Sequence, residues 1–118
     1  MQFTAKVISG RGVGKQLGFP TLNLEMEDLD LESGVYACVA EFAEKEWNAV
    51  LFLGKRKTFD NSPTLEIHIL DAEIENSPSE VKVEIRERIR GVEKFLNKEK
   101  LIAAITQDCE KAREILGV

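Results

Sequence analysis

Hydrophobic and polar residues alternate along most of the chain and change to a helical period near its end. Residues 3–8 place Phe3, Ala5 and Val7 on one side, the period-two pattern of a half-buried strand. Residues 34–42 are β-rich and apolar on both faces, which predicts a strand covered on two sides. Trp47, Ala49, Leu51 and Leu53 share one face of a further strand that stops at Gly54. Leu65, Ile67 and Ile69 mark another, with Glu66 and His68 together on its opposite face. Val81, Val83 and Ile85 mark the next, with Lys82, Glu84 and Arg86 turned the other way. The period then becomes 3.6: Leu101, Ile105, Cys109, Ala112 and Leu116 recur at helical spacing, supported by Ile102 and Ile115. Asn97 suits the N-cap, Glu99 the first turn and Gly117 the stop, so a helix is predicted over 98–116.

Strands followed by one helix predict an α+β fold, mainly β, with residues 1–118 as a single domain. Repeats, low-complexity tracts and linkers are absent from the sequence. Closure into a small barrel removes the exposed edges that an open sheet of these strands would leave, so a barrel is expected. The helix would plug it or flank it.

Composition narrows the function. Hydrophobic residues are 43% and charged residues 31%, an ordinary folded balance. Sixteen basic against twenty-one acidic residues give a net charge of −5, which argues against a protein living on nucleic-acid phosphates. No apolar run approaches the ~18 residues of a membrane helix, and the start, Met1-Gln2-Phe3-Thr4-Ala5-Lys6, does not read as a secretory signal. Cys38, Cys109 and the lone His68 are too few and too scattered for a zinc site, and both cysteines sit in apolar patterns as core residues. A cytoplasmic protein, monomeric, with neither nucleic-acid nor membrane partners, is the expectation.

Four segments carry candidate chemistry. Gly10, Gly12, Gly14 and Gly18 fall within nine positions, with Arg11 and Lys15 among them. Glycines let backbone N–H groups approach an anion, and the basic side chains add charge. The Walker pattern is not met, because Gln16 follows Lys15 and Ser9 stands where its first glycine belongs. The loop also suits a plain flexible hairpin. Next comes Leu17-Gly18-Phe19-Pro20-Thr21-Leu22-Asn23-Leu24, where an extended backbone turns Thr21 and Asn23 to the same side. Their hydroxyl and amide oxygens suit a magnesium ion and nucleotide phosphates, or else a Pro-Thr turn that satisfies local backbone. Glu66 is a candidate general base if its face lines a cavity, whereas alternation alone favours a solvated outer face for Glu66 and His68. Finally, Ile89-Arg90-Gly91-Val92-Glu93-Lys94-Phe95 joins the last strand to the helix, either as a binding loop or as a turn with Phe95 against the helix.

These elements, in this order, resemble the riboflavin kinase (flavokinase) family, including the kinase module of bacterial bifunctional flavin-synthesis enzymes. The resemblance runs from about Ala5 to Leu116. Its most specific part is the glycine loop followed by Leu-Gly-Phe-Pro-Thr-x-Asn, residues 17–23. Gly34-Val35-Tyr36-Ala37, Gly54 with Thr58-Phe59, Glu66-Ile67-His68-Ile69-Leu70, Arg90 with Phe95, and Gln107-Asp108 with Ala112-Arg113 match in register. The resemblance implies a six-stranded antiparallel Greek-key barrel with the helix packed outside. It also implies transfer of the γ-phosphoryl group of ATP to the 5′-hydroxyl of riboflavin, giving FMN and ADP, with Mg²⁺ or another divalent cation. By residue, it assigns metal and phosphates to Thr21 and Asn23, a nucleotide flap to Gly10, Gly12 and Lys15, and the base to Glu66. It places Arg90 on the nucleotide side and Glu93 and Phe95 near the flavin. His68 would orient a neighbour or fill space. The chain departs from the family pattern at Lys57 (usually proline), at Ser77-Pro78 (usually Tyr-Gly) and at Val92 (usually glutamate). Since only the kinase module is matched, FAD synthesis is not expected. A non-catalytic flavin- or nucleotide-binding barrel is the alternative. An oligonucleotide-binding barrel would need exposed aromatics and the opposite charge.

Overall fold

The structure, a computed structural model, describes residues 1–8, 18–25, 28–54, 63–74 and 76–118. Its elements are β1 (Gln2–Ile8), β2 (Leu22–Leu24), β3 (Gly34–Phe42), β4 (Lys45–Gly54), β5 (Thr64–Ile69), β6 (Glu80–Arg90) and α1 (Lys98–Leu116). The six strands close into an antiparallel barrel in the order β1-β2-β5-β4-β3-β6. Strands β3, β4 and β5 form a meander, and β6 returns to lie beside β3, which is the Greek-key pattern.

Alternation fills the interior as the sequence predicts. Ala5, Cys38, Ala40, Leu51, Leu65, Ile67, Val81 and Val83 point inward and are buried together. Burying one such aliphatic side chain contributes about 1.5–3 kcal/mol, so this stripe supplies much of the driving force. Strand β3 is apolar on both faces because each face has a cover. Cys38 and Ala40 look into the barrel, while Val35 and Ala37 look out and meet Ile105, Cys109 and Ala112 of α1. The helix therefore flanks the barrel and does not plug it. Its ends are fixed as expected: the Asn97 side chain accepts from the Lys100 N–H at 2.9 Å, and Gly117 closes the helix in the left-handed region at φ 76°.

Two elements differ from the pattern-based reading. Strand β2 has three residues, too few for alternation to show, and pairs through only Leu22 and Asn23 with β5. Strand β6 runs on to Arg90, so Ile89 and Arg90 belong to the strand and the junction starts at Gly91. Register shifts in the β3–β6 ladder, at Val35/Tyr36 and Ala37/Cys38, break strict alternation and send Ile89 into the cluster beneath the helix. These ladders meet tightly at Gly34, where a Cβ would stand 2.6 Å from the Arg90 carbonyl oxygen. Only glycine fits there.

Candidate active site

One row of side chains crosses the outside of the barrel. Asn23 pairs with Glu66, Glu66 with Phe52, Phe52 with Val35, and Val35 with Arg90. Directly paired residues point the same way with Cβ atoms about 4.5–5.5 Å apart, so register alone brings an amide, a carboxylate and an apolar floor into line. Above this row lies a cavity of about 220 Å³. Its walls come from Glu66, Phe52, Val35 and Arg90 of this row, from the junction residues Val92, Glu93 and Phe95, and from Leu101 and Ile105 of α1. The outer face of β5 is consequently not simply solvated: Glu66 and His68 are both half-buried, and Glu66 lines the cavity.

Thr21 stands at the edge of this space. It lines the first cavity with Glu66, and it lines a second of about 330 Å³ formed by Pro20, Leu22, Ile67, Ile69 and the segment after β5. Its Oγ1 is buried and has no hydrogen-bond partner among the described residues. Buried hydroxyls are ordinarily satisfied, because an unpaired one costs about 1–3 kcal/mol. The orphan therefore marks a place where a ligand atom is wanted. Asn23, two residues on, is half-buried and faces Glu66 across the ladder.

Arg90 lines the same cavity as Glu93 and Phe95. Its guanidinium forks onto Asp108 of α1, with Nε–Oδ1 at 2.8 Å and Nη2–Oδ2 at 2.7 Å. Nη1 donates to the Gly91 carbonyl at 3.1 Å, and the group lies 5.5 Å from the centre of the Phe95 ring. Three of the five N–H bonds of an arginine are thus engaged among the described residues. Asp108 is 2% exposed, the one charged side chain in the buried set among the described residues. A lone buried carboxylate would be expensive, and the bidentate arginine is what offsets it. Its sequence signal is a polar residue between Ile105 and Ala112 in the apolar stripe of α1, a role that periodicity does not assign.

His68 reaches the other way. Its Nδ1 lies 2.7 Å from the Pro20 carbonyl oxygen, and its ring meets Phe19 edge-on at 5.8 Å. A carbonyl only accepts, so Nδ1 carries the proton. This link across 48 residues has no signature in the chain. A second unpredicted link is Arg113 to Asp71, at 2.7 and 3.1 Å, which ties α1 to the turn after β5. Its hydrogen bond, helped by the positive charge, holds the Asp71 carboxyl below its ordinary value. Cys38 and Cys109 are buried as expected, and desolvation pushes the Cys109 thiol up to about 11. Gly10, Gly12 and Lys15, and also Lys57, Thr58 and Phe59, lie outside the described residues.

Among the described residues, a closed Greek-key barrel with one flanking helix thus carries two cavities that share Thr21. The chain belongs to the riboflavin kinase family, whose flavokinase model matches residues 1–116. It is 31% identical over 118 residues to the bifunctional riboflavin kinase/FMN adenylyltransferase of Escherichia coli strain K12, covering 98% of this chain and 38% of that protein. It is 31% identical over 112 residues to the protein of the same description from Bacillus subtilis strain 168, covering 90% of this chain and 35% of that one. The chain thus spans less than two-fifths of the length of these relatives. A solved structure described as a macrolide-efflux protein from Streptococcus pneumoniae superposes with a TM-score of 0.84 at 29% identity, over 95% of this chain and 38% of that one. What it shares with this chain is the fold. Among the described residues, no helix is long and apolar enough to cross a membrane.

Proposed function

We propose that this chain transfers the γ-phosphoryl group of ATP to the 5′-hydroxyl of riboflavin, giving FMN and ADP. The observation that carries the reading is Thr21: a buried hydroxyl with no partner among the described residues, on the wall common to two cavities, the first of which Glu66 also lines. A transfer between two substrates needs two chambers that meet at one point, and the reacting groups meet at that point.

The apolar floor of Phe52 and Val35, with Leu101 and Ile105 opposite, suits the flavin ring, and Glu93 and Phe95 close its rim. Arg90, clamped by Asp108, offers its remaining N–H bonds to oxygens at the cavity edge. The second cavity takes the nucleotide, which Gly10, Gly12 and Lys15 would cover. Glu66 accepts the proton of the attacking hydroxyl as its oxygen bonds to the γ-phosphorus. The bond from that phosphorus to the β–γ bridging oxygen breaks, and its electron pair leaves with ADP. The proton on Glu66 passes to water after release. Such a reaction is catalysed mostly by positioning and charge neutralisation.

The donor set fits a hard divalent cation such as Mg²⁺. Thr21 Oγ1 is unsatisfied, and the side-chain oxygen of Asn23 lies on the same side of an extended segment. No cluster of three or more acidic, histidine or cysteine side chains competes for a metal among the described residues. A magnesium ion keeps several of its waters, so two protein oxygens suffice. When bound, it would supply the neutralisation of phosphate charge.

Incubation with riboflavin, ATP and Mg²⁺, followed by chromatography, should show FMN and ADP accumulating together, and a chelator should stop it. Flavin binding without turnover over a range of nucleotides would make the chain a non-catalytic barrel instead.

A further inference from the structure

The segment 19–21 is the partition between the two cavities. Phe19 lines the first, Pro20 the second, and Thr21 both. Yet this partition stands outside the regular sheet, because the pairing of β2 with β5 begins at Leu22. Proline also has no N–H to donate, so Pro20 can be held only through its carbonyl or its ring.

His68 holds both neighbours. Its Nδ1–H donates to the Pro20 carbonyl at 2.7 Å, and its ring makes a T-shaped contact with Phe19, centroids 5.8 Å apart. His68 itself is not part of either cavity wall. It shares an outward face of β5 with Glu66, two residues earlier, so a single rigid strand carries the proton acceptor and the peg that fixes Thr21. We propose that His68 is a positioning residue: its bond to Pro20 sets the Thr21 hydroxyl relative to Glu66 and keeps the partition in place between the substrates. This rests on the kinase reading above. It assigns His68 no contact with substrate and no proton transfer.

The geometry selects a discriminating pair of variants. An asparagine amide N–H falls near the place of a histidine Nδ1–H, whereas a glutamine amide reaches toward the position of Nε2. His68→Asn should preserve the bond to Pro20. His68→Gln, of similar polarity and larger reach, should lose it, as should His68→Ala. The readouts are the Kd of Mg·ADP by calorimetry, the Kd of riboflavin by fluorescence quenching, and kcat for FMN formation.

With Gln or Ala at 68, Mg·ADP should bind roughly five- to tenfold more weakly, the effect of one lost hydrogen bond. The change in kcat should be larger, on the order of tenfold to a hundredfold, because a small displacement of a positioned group costs more in rate than in binding. Riboflavin affinity should move less than Mg·ADP affinity, since most of the first cavity's wall comes from other segments. The Asn variant should stay within about twofold of the unaltered protein on all three readouts. Asn and Gln falling together, or Gln and Ala binding Mg·ADP as well as the unaltered protein, would overturn the inference. A Gln or Ala variant that does not fold leaves the other of the two, set against Asn, as the test. Unaltered protein that binds both ligands without making FMN would overturn the kinase reading alone, because the Mg·ADP comparison is still read. Unaltered protein that binds no Mg·ADP overturns this inference as well.

Discussion

The β3–β4 and β2–β5 ladders belong to one barrel but are built on opposite principles. The first is nine paired residues long, from Gly34–Leu53 to Phe42–Lys45, and is closed by a tight hairpin. The second has two residue pairs, Leu22–Ile67 and Asn23–Glu66. The long ladder spends its residues on burial: Ala37, Cys38, Ala40, Ala49, Val50 and Leu51 are almost wholly covered. The short one carries Asn23 and Glu66, with Thr21 just ahead of it, and all three are half-buried. Side chains that must meet a ligand cannot also be sealed in a core. One side of the barrel is long-paired and buried, and the other is polar and sparsely paired.

The sharpest way to break that contrast is at the short ladder's carboxylate. Glu66→Gln keeps shape and removes the proposed proton acceptor, so kcat for FMN formation should fall about 10²–10⁴-fold while the thermal midpoint stays nearly constant. Thr21→Val comes next. Losing the hydroxyl should cut FMN formation about tenfold or more, yet it removes an unsatisfied buried group, so denaturant unfolding should show stability unchanged or raised by up to about 1 kcal/mol. Activity and stability moving in opposite directions is the signature expected of a ligand-facing group.

The long ladder should behave in the reverse sense. Its hairpin turns at Ala43 and Glu44, both in the left-handed region at φ 52° and 61°. A two-residue turn of this hand is best served by Asn-Gly, and a side-chain residue there costs roughly 1–2 kcal/mol. The double change Ala43→Asn with Glu44→Gly should therefore raise stability by about 1 kcal/mol, leaving kcat and both KM values alone. The smallest effect is expected at the exposed Arg113–Asp71 pair, whose partners keep 36% and 63% of their side-chain exposure. Because folding lowers the Asp71 pKa, its contribution is present above the ordinary carboxylate value of 3.8 and is lost as pH falls through the lowered one. Asp71→Asn should lower the thermal midpoint slightly at pH 7, and the gap should vanish in stronger acid.

The same contrast governs what could be read from the sequence. The long ladder and α1 announce themselves, since burial on a fixed face leaves a period, and Asn97 and Gly117 mark the helix ends. Strand β2 is too short to show one. Alternation places Glu66 and His68 outside the barrel correctly, but it says nothing of what lies above them. That cover comes from α1 and the junction after β6, which are remote in sequence. The family motif brought Thr21, Asn23, Glu66, Arg90, Glu93 and Phe95 into view, and the structure adds how they meet. Thr21, Glu66, Arg90, Glu93 and Phe95 border one cavity, and Asn23 stands beside Glu66. It also adds what motif and period both omit: the clamp of Asp108 on Arg90 and the bond from His68 to Pro20. Each joins residues through three-dimensional proximity alone.

The outward row from Asn23 to Arg90 runs over five of the six strands and crosses the β2–β5 seam, which like β1–β2 has only two residue pairs. A molecule bound along it grips strands that few backbone bonds hold together, and whatever it gains by binding is added to the resistance of the whole shell to opening. At a hundred times its Kd, one such occupant adds about 2.7 kcal/mol. The supply of such a ligand would then govern how long the protein survives a protease.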